Sequence, residues 1–451
     1  MPSPYADHPL TDAQQGMWFL ERLSRAAVYV DPLTFRLTGR LDVLALRRAI
    51  EDLCRRHAAL RTTFPLVDGR PVQRVSEQVE VPVREADLSA HDDAEREAEL
   101  AALLQGDTRG RFDLAEGPLV RVLLVRLGAD EHVLRMTVHH MVTDAWSWWG
   151  VLLRELETLY AAGLDGRDAA LPPPPAQLPD LVHWQHTWCE GPGYARQLTY
   201  WKRTLAGLEP LPQLDVARPG PATGRRSTAT VWATVPRDVS AALDEVCTHA
   251  RVTPFMLLLA AFQLVLHRHT GAEDIAVGTR AAVRSRPEFE KAVGFFVNLL
   301  VLRIELRRDD TFRQLLHTVR ASALGAYAHR EIPFEKLVEE IRPPRRGRFH
   351  SLVNVLFSFQ STPELPPRLP GLDSRLLNHD PQTLYDLDLV FFEEDGDLRA
   401  LLTYDSSRYA AQAAAGLLDE VCDVLRAVAA DPEVPLSTLL AVTTKAMPHA
   451  G

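Results

Sequence analysis

Two adjacent histidines followed by an aspartate form the group of side chains best suited to chemistry, His139-His140-Met-Val-Thr-Asp144. A histidine has an unperturbed pKa of about 6.5, so a neutral imidazole can accept a proton from an attacking amine or hydroxyl, or hold it by a hydrogen bond. This chemistry suits attack by an amine on a thioester. Because a thioester is already activated, aligning the two reactants can contribute much of the acceleration. We take His140 as the catalytic candidate.

The segment that carries these residues is predicted to be a strand, a short turn and the start of a helix. Leu119 to Leu127 and His132 to Val138 predict two strands joined by a turn at Gly128. From Trp146 onward, apolar residues keep a helical period. Side chains alternate across a strand, so His139 and His140 should point in opposite directions and have different roles. The alternation places His140 with Leu134, Met136 and Val138, and His139 with Arg135 and Thr137.

Each of these residues also has a plainer structural interpretation. Asp144 precedes a predicted helix and serves equally well as its N-cap. His139 is predicted to be a hydrogen-bonded structural histidine in preference to a second base. Opposed histidines chelate poorly, so no metal site is predicted. The tryptophans of the following helix are predicted to be packing residues in preference to a ligand platform: Trp146, Trp148 and Trp149.

Helices and strands are mixed along the whole sequence, which predicts an α+β fold. Leu46, Ile50 and Leu53 recur at helical spacing between Leu41 and Leu60, with His57 on the same stripe. In the second half, Thr253-Pro254 and Gly271 mark the start and end of an almost wholly apolar, buried helix. Further strands are predicted at Asp274 to Gly278, at Val353 to Phe359 and on both sides of Glu394 to Asp397.

The length of 451 residues predicts two domains of roughly 200 residues each. The proline-rich stretch from Gly166 to Pro175 is stiff and extended, so it is the best candidate for the crossing between them. We therefore predict one domain over residues 1–175, which carries the histidine motif, and a second over residues 176–451.

Composition limits the class of protein. A net charge of -10 argues against binding to nucleic acid or to an anionic membrane surface. The cysteines lie far apart, which predicts neither a zinc site nor a disulfide framework and favours a reducing cytoplasm: Cys54, Cys189, Cys247 and Cys422. The first residues lack the regions of a signal peptide, and the apolar run from Phe255 to Leu266 is too short to span a bilayer. We expect a soluble cytoplasmic protein.

The histidine motif, read on to Ser147, resembles the HHxxxDG signature of nonribosomal-peptide-synthetase condensation domains. Four other segments resemble motifs of that family, in the family's order and over almost the whole chain. They are Leu10-Thr-Asp-Ala-Gln14-Gln-Gly-Met-Trp18 (opening motif), Arg56-His57-Ala-Ala-Leu-Arg61-Thr-Thr-Phe64 (RHxxLRTxF), Val293-Gly294-Phe-Phe-Val-Asn298 (GxFVN) and His329-Arg-Glu-Ile-Pro333-Phe334-Glu335 (HQDxPFE). Ala145 stands where the family has glycine, and Arg280 stands where it has proline.

The resemblance implies two chloramphenicol-acetyltransferase-like lobes in a V-shaped pseudo-dimer with a central tunnel, bridged by a crossover near Tyr385. It implies catalytic roles for His140, His139 and Asp144. Removing one partner of a buried ion pair disorders its surroundings, and the resemblance nominates Arg284 as the partner of Asp144. The remaining residues it implies are Arg61 as structural support and Ala145, Trp146 and Asn298 as lining of the tunnel.

The activity implied is the condensation of a carrier-bound acyl or aminoacyl thioester with an amine, or with a hydroxyl to give an ester. The resemblance implies no cofactor of the protein's own, because phosphopantetheine arrives on donor and acceptor carrier proteins, and a monomer is expected. Two other functions stay open. One is a non-catalytic recruitment domain of a synthetase, and the other is a coenzyme A-dependent acyltransferase.

Overall fold

The computed structural model describes residues 6–23, 29–77, 80–217, 227–343, 352–360, 365–377, 383–394 and 396–441. Within these ranges the α-helices are α1 (Asp12–Leu23), α2 (Val43–Arg56), α3 (Asp93–Arg109), α4 (Leu153–Leu164), α5 (Leu178–Cys189), α6 (Pro192–Thr204), α7 (Arg237–Ala250), α8 (Pro254–Thr270), α9 (Phe312–Ala328), α10 (Phe334–Ile341), α11 (Ala411–Ala430) and α12 (Leu436–Ala441). Shorter turns are 3₁₀-helical at Ala58–Arg61, His140–Val142 and Pro287–Phe289, and π-helical at Ser147–Leu152.

The strands of the same ranges are β1 (Ala6–His8), β2 (Val30–Gly39), β3 (Thr62–Thr63), β4 (Leu66–Val67), β5 (Arg70–Pro71), β6 (Gln73–Val75), β7 (Val83–Asp87), β8 (Val120–Gly128), β9 (Glu131–His139), β10 (Thr228–Val235), β11 (Asp274–Ala282), β12 (Val297–Glu305), β13 (Val355–Gln360), β14 (Leu372–Leu376), β15 (Leu387–Glu394) and β16 (Asp397–Asp405). Helices and strands are mixed throughout, which confirms the predicted α+β class.

The chain divides into two compact units. The first comprises Met1–Gly193, Ala282–Val297 and Glu364–His379, and the second comprises Tyr194–Ala281, Asn298–Pro363 and Asp380–Gly451. The predicted boundary after residue 175 differs from this division, because α5 packs Leu178 and Leu181 into the core of the first unit. The V-shaped arrangement, the tunnel and its crossover stay predictions.

A five-stranded sheet in the order β14-β2-β9-β8-β7 forms the centre of the first unit. The hairpin predicted for β8 and β9 is confirmed, since the two strands pair antiparallel from Val120 and Val138 to the turn after Gly128. The two faces of β9 have different surroundings, as the alternation predicts. Leu134, Met136 and Val138 lie in the main hydrophobic core, whereas Arg135 and Thr137 donate hydrogen bonds to Asp107 at 3.0 and 2.5 Å.

Helices α2 and α4 pack against each other beside this sheet. Leu46, Ile50 and Leu53 are each 1% exposed, which confirms the predicted apolar stripe of α2. The helix ends at Arg56, earlier than the predicted window, because His57 turns away with an extended backbone. The buried His57 imidazole then lies 2.6 Å from Glu155 of α4, so this histidine connects the two helices.

The segment Ala282–Val297 returns to the first unit after the chain has entered the second. It contributes Phe289, Val293 and Phe296 to the main core of that unit, and each of these side chains is at most 2% exposed. Part of the first unit's core therefore comes from sequence far from the rest of it.

A six-stranded mixed sheet in the order β10-β16-β15-β13-β11-β12 forms the centre of the second unit. The predicted hairpin of β15 and β16 is confirmed by antiparallel pairing that begins at Glu394 and Asp397. The buried helix α8 also has its predicted ends. Thr253 accepts a hydrogen bond from the N–H of Met256, and Gly271 ends the helix with a φ of +67° that glycine adopts without strain.

His269, at the end of α8, lies between two carboxylates. Its Nδ1 is 2.6 Å from Asp215 and its Nε2 is 3.1 Å from Glu420. Ionised carboxylates only accept hydrogen bonds, so both ring nitrogens must carry protons for both bonds to form. Burial alone would lower the pKa of His269, but the bonds to Glu420 and Asp215 outweigh burial and raise it.

This arrangement predicts a pH-dependent contribution to stability. A pKa raised in the folded state stabilises the protein most below the unfolded value of about 6.5, and this stabilisation is lost as the pH rises through the folded value. We expect the free energy of unfolding of wild type to exceed that of His269→Gln by an amount that is largest below about pH 6.5 and shrinks as the pH rises through the raised pKa of His269. Urea denaturation of both proteins across this range measures the difference, and a constant or growing gap would contradict the protonated bridge.

No single helix of the described ranges is long and apolar enough to cross a membrane. Within these ranges, only α7 and α8 taken together reach that length and composition, and they are bent by 103° at the break between them.

Candidate active site

His139 ends β9 and is completely buried. Its Nδ1 accepts a hydrogen bond of 3.1 Å from the N–H of Met141, and the rings of Tyr29 and Phe112 lie 6.2 and 6.0 Å away. Burial above all, with the neighbouring charges of His140 and Arg121, lowers the pKa of His139 to about 3. The imidazole is therefore neutral at physiological pH, and its contacts favour the structural role over that of a second base.

The hydrogen bond that His139 accepts from Met141 can be tested by substituting a shorter side chain that also accepts. In His139→Asn the amide oxygen can still accept from the Met141 N–H, whereas His139→Leu leaves this buried donor unsatisfied at a cost of about 1–3 kcal/mol. We expect the asparagine variant to keep more product formation and a higher free energy of unfolding than the leucine variant. Equal losses in the two variants would show that the hydrogen bond to Met141 is unimportant.

His140 is the first residue of the 3₁₀ turn that follows β9. The strand ends at His139, so the alternation does not extend to His140, and the turn places the ring instead. Its backbone N–H donates to the Tyr29 carbonyl at 2.8 Å, and its half-buried ring has Nδ1 3.5 Å from the Thr143 carbonyl. A carbonyl can only accept, so Nδ1 is the donor in this contact, and in a neutral imidazole Nε2 then keeps its lone pair.

Asp144 is 2% exposed and has its carboxylate surrounded by donors. Its Oδ1 accepts from both the N–H and the hydroxyl of Ser147 at 2.7 Å, and Oδ2 accepts from the N–H of Phe296 at 2.9 Å. Arg284 Nη2 lies 3.0 Å from each oxygen. Asp144 is therefore both the N-cap of the helix that begins at Ala145 and the buried partner of Arg284.

Arg284 is tied to the same place through its other nitrogen. Its Nη1 donates to the carbonyls of Phe289 and Ala292 at 2.5 and 2.8 Å, and its guanidinium lies 4.1 Å from the centre of the Phe296 ring. Burial lowers the pKa of Arg284, and Asp144 partly offsets that effect. The pair joins the histidine motif to the returning segment.

Two residues of the recognised motifs hold the site although we did not select them from the sequence. Ser147 is completely buried and accepts from the N–H of Gly294 at 3.1 Å. Gln14 of α1 is also buried and donates to the Met141 carbonyl at 2.9 Å, which fixes the turn that carries His140. Both occur in segments that resemble family motifs, and that resemblance was the signal available.

Ala145 and Trp146 are both exposed. Ala145 is the first helical residue and does not have a positive φ, so this backbone needs no glycine. Trp146 is 46% exposed, and its indole N–H donates to the Glu290 carbonyl at 2.8 Å. The packing role predicted for the tryptophans fits Trp148, which is 1% exposed, and does not fit Trp146. That Ala145 and Trp146 line a tunnel stays a prediction.

Asn298 lies in the second unit and connects two of the recognised motifs. Its Nδ2 donates to the carbonyls of Arg330 and Ile332 at 2.8 and 2.7 Å, and its Oδ1 accepts from the N–H groups of Phe334 and Leu299, both at 2.9 Å. The side chain is 7% exposed, and its amide is committed to backbone partners. Its predicted place in a tunnel wall stays a prediction.

Arg61 and Arg280 make contacts away from the histidine motif. Arg61 donates to the carbonyl of Ser76, and burial lowers the pKa of its guanidinium. These contacts do not test whether Arg61 supports the site, so that role stays a prediction. Arg280, in the second unit, binds Asp388 with both Nη atoms at 3.1 and 2.6 Å, which gives this unusual arginine a partner on β15.

Among the described residues, no group of three or more histidine, cysteine, aspartate or glutamate side chains is placed to hold a metal ion. The free cysteines are Cys54, Cys189, Cys247 and Cys422.

Comparisons with known proteins identify the family. Residues 6–448 match the family model described as Condensation domain. The chain is 35% identical over 433 residues to the malpinin synthetase of Mortierella alpina, and this similarity covers 96% of the chain and 6% of that much longer protein. In structure it is similar to the X-domain in the complex of the X-domain and OxyB from teicoplanin biosynthesis, with a TM-score of 0.86, 27% identity and coverage of 98% and 99% of the two chains.

A further similarity concerns the fold alone. The condensation domain of the monacolin K polyketide synthase MokA has a TM-score of 0.83 at 21% identity, over 96% of this chain and 99% of that one.

The family model and the sequence relatives show that the chain belongs to the condensation domain family. Its members are the amide-forming, acyltransferase-type domains of nonribosomal peptide synthetases. Domains of this family act on substrates bound to carrier proteins. The chain spans less than a tenth of the length of malpinin synthetase and of the linear gramicidin synthase proteins of Brevibacillus parabrevis that it matches.

Proposed function

We propose that this chain condenses a carrier-bound acyl or aminoacyl thioester with the amine of a second carrier-bound substrate. The observation that carries the proposal is the contrast between the two histidines. His139 is buried and neutral, whereas His140 is half-buried with Nδ1 facing a carbonyl, so that Nε2 is the nitrogen that can accept in the neutral ring.

The proposed reaction needs only modest help from the protein. The amine nitrogen attacks the thioester carbon, the new C–N bond forms, the C–S bond breaks and the donor carrier's thiol is released. Nε2 of His140 accepts a hydrogen bond from the attacking amine, which orients it and can receive its proton. Asp144 and Arg284 do not touch substrate in this proposal, because the two side chains form an ion pair with each other and hydrogen bonds with backbone groups.

The partners in this proposal are a donor and an acceptor carrier protein, each with a phosphopantetheine arm. The domain contributes no cofactor of its own, acts as a monomer in the cytoplasm and binds neither nucleic acid nor membrane. Its acidic balance of 60 Asp and Glu against 50 Lys and Arg supports the last point.

Intact-mass analysis of a loaded donor carrier, mixed with this protein and candidate acceptors, tests the proposal. We expect the acyl group to leave the donor carrier and the acceptor to gain its mass, with an amine acceptor preferred to a hydroxyl acceptor. Acyl transfer from acyl-coenzyme A at a comparable rate would instead indicate a coenzyme A-dependent acyltransferase.

Recruitment of a tailoring enzyme is the second candidate function. The similarity to the X-domain favours it, because that X-domain forms a complex with OxyB. That function predicts no product with any loaded carrier and binding of a tailoring enzyme to the unaltered protein. Product formation that depends on His140 would exclude a purely non-catalytic role.

A further inference from the structure

We propose that Ser147 and Phe295 are positioning residues that hold the imidazole of His140 in its reactive orientation. This inference deepens the function proposed above and rests on it for the rate effects, but the orientation of the ring can be measured independently.

The hydroxyl of Ser147 is the point where the helix that begins at Ala145, called the motif helix, meets the returning segment Ala282–Val297. It accepts from the N–H of Gly294 and from Arg284 Nη2, both at 3.1 Å. Its single proton has two acceptors within reach, Asp144 Oδ1 at 2.7 Å and the Gly294 carbonyl at 3.0 Å. The shorter contact to a charged oxygen is the stronger one. All the hydrogen-bonding capacity of this buried hydroxyl is therefore used within the site.

The close approach at Gly294 leaves no room for a side chain. A Cβ at this position would lie 2.7 Å from Leu178 Cδ1 and 3.0 Å from Phe296 Cε2, and both of these side chains are buried. The backbone of Gly294 can thus pack directly against the first unit's core and bond to Ser147.

Phe295 is held by fixed backbone on both sides. The preceding Gly294 is bonded to Ser147, and the N–H of the following Phe296 donates to Asp144 at 2.9 Å. The ring of Phe295 meets the ring of His140 edge to face, with 6.3 Å between centroids and 73° between planes. This geometry is one that aromatic rings prefer.

The imidazole of His140 needs such a support, because its own hydrogen bond is weak. The contact from Nδ1 to the Thr143 carbonyl is 3.5 Å long, beyond the usual range for an N–H···O bond. Packing against Phe295 is a second contact that restrains rotation of the ring. Ser147 sets the position of Phe295, and Phe295 in turn sets the orientation of Nε2.

Four variants test this chain of contacts. Phe295→Leu removes the ring but keeps an apolar side chain, and we expect kcat to fall about tenfold with little change in KM. Ser147→Ala leaves the N–H of Gly294 without its acceptor, so Phe295 can shift, and we expect a fall in kcat of no more than about tenfold. The double variant should be no slower than Phe295→Leu, because both substitutions act through the same contact. Phe295→Tyr keeps the ring and should restore most of the rate.

Nitrogen NMR measures the ¹⁵N ring signals of the histidines, which a general loss of stability would not shift. The ¹⁵N ring signals of His140, assigned with His140→Ala, should shift in Phe295→Leu and in Ser147→Ala and stay in place in Phe295→Tyr. Ser374→Ala is the matched control, because the hydroxyl of Ser374 is buried without a hydrogen-bond partner in the described part of the chain.

The outcomes separate the two proposals. Shifted His140 signals together with lowered kcat support the positioning role. Unchanged His140 signals in Phe295→Leu overturn it, even where the enzyme is active. If the wild-type protein forms no product, the proposed function fails, while the NMR signals still decide whether Phe295 orients the ring. Should Ser147→Ala not fold, Phe295→Leu decides alone.

Discussion

Replacing His140 with alanine should slow amide formation by roughly a hundredfold to ten-thousandfold while the protein stays folded. The ring is half-buried and makes one long hydrogen bond, so its removal costs little structure. In the proposed reaction, the substitution removes the acceptor for the proton of the attacking amine. Single-turnover assays with a loaded donor carrier measure the rate, and circular dichroism with urea denaturation measures the fold.

The matched control for this experiment is His183→Ala. His183 is an exposed histidine of α5 in the same unit, and its substitution should leave the rate unchanged. Full turnover in His140→Ala would remove this histidine from the mechanism and leave alignment of the substrates as the source of catalysis.

Replacing Arg284 with alanine should lower the free energy of unfolding by about 3–5 kcal/mol and abolish product formation. The substitution leaves the 2%-exposed carboxylate of Asp144 buried without its counter-charge, and it frees the carbonyls of Phe289 and Ala292. The loss of activity follows from disorder of the motif helix, since Arg284 does not touch substrate in the proposed reaction.

The control for Arg284 is a solvent-exposed arginine with an aspartate partner. Arg167 bonds Asp165 at 3.0 Å with both side chains at least 60% exposed, and Arg167→Ala should cost about 0–1 kcal/mol. The double variant Asp144→Asn with Arg284→Gln removes both charges, so it should regain part of the stability lost in Arg284→Ala. A single variant as stable as wild type would contradict a buried ion pair.

Local signals in the sequence predicted much of the fold. The β8–β9 hairpin follows from alternating apolar residues on both sides of a turn, and the ends of α8 follow from Thr253 and Gly271. These features depend on neighbours within a few positions, where spacing and capping chemistry act directly. The Asp144–Arg284 pair was expected only through the family resemblance.

Contacts between distant segments could not be predicted in this way. Ser147 and Gly294 are 147 positions apart, and neither periodicity nor composition indicates that they meet. The proline-rich stretch from Gly166 to Pro175 was predicted to be the crossing between domains, but Leu178 and Leu181 beyond it pack into the first unit's core, and the first segment of that unit runs to Gly193. The orientation of Trp146 was missed because helical spacing does not say which of three tryptophans meets solvent.

The composition of the first unit from separate stretches of chain has a consequence for synthesis on the ribosome. Asp144 is synthesised 140 residues before Arg284. A nascent chain can therefore form its β8–β9 hairpin long before the Asp144 carboxylate pairs with the Arg284 guanidinium. Pairings of such large sequence separation form late. Any exchange of this region between synthetases that cuts at residue 193 would therefore separate Asp144 from Arg284, and a transplanted first unit must bring Ala282–Val297 with it.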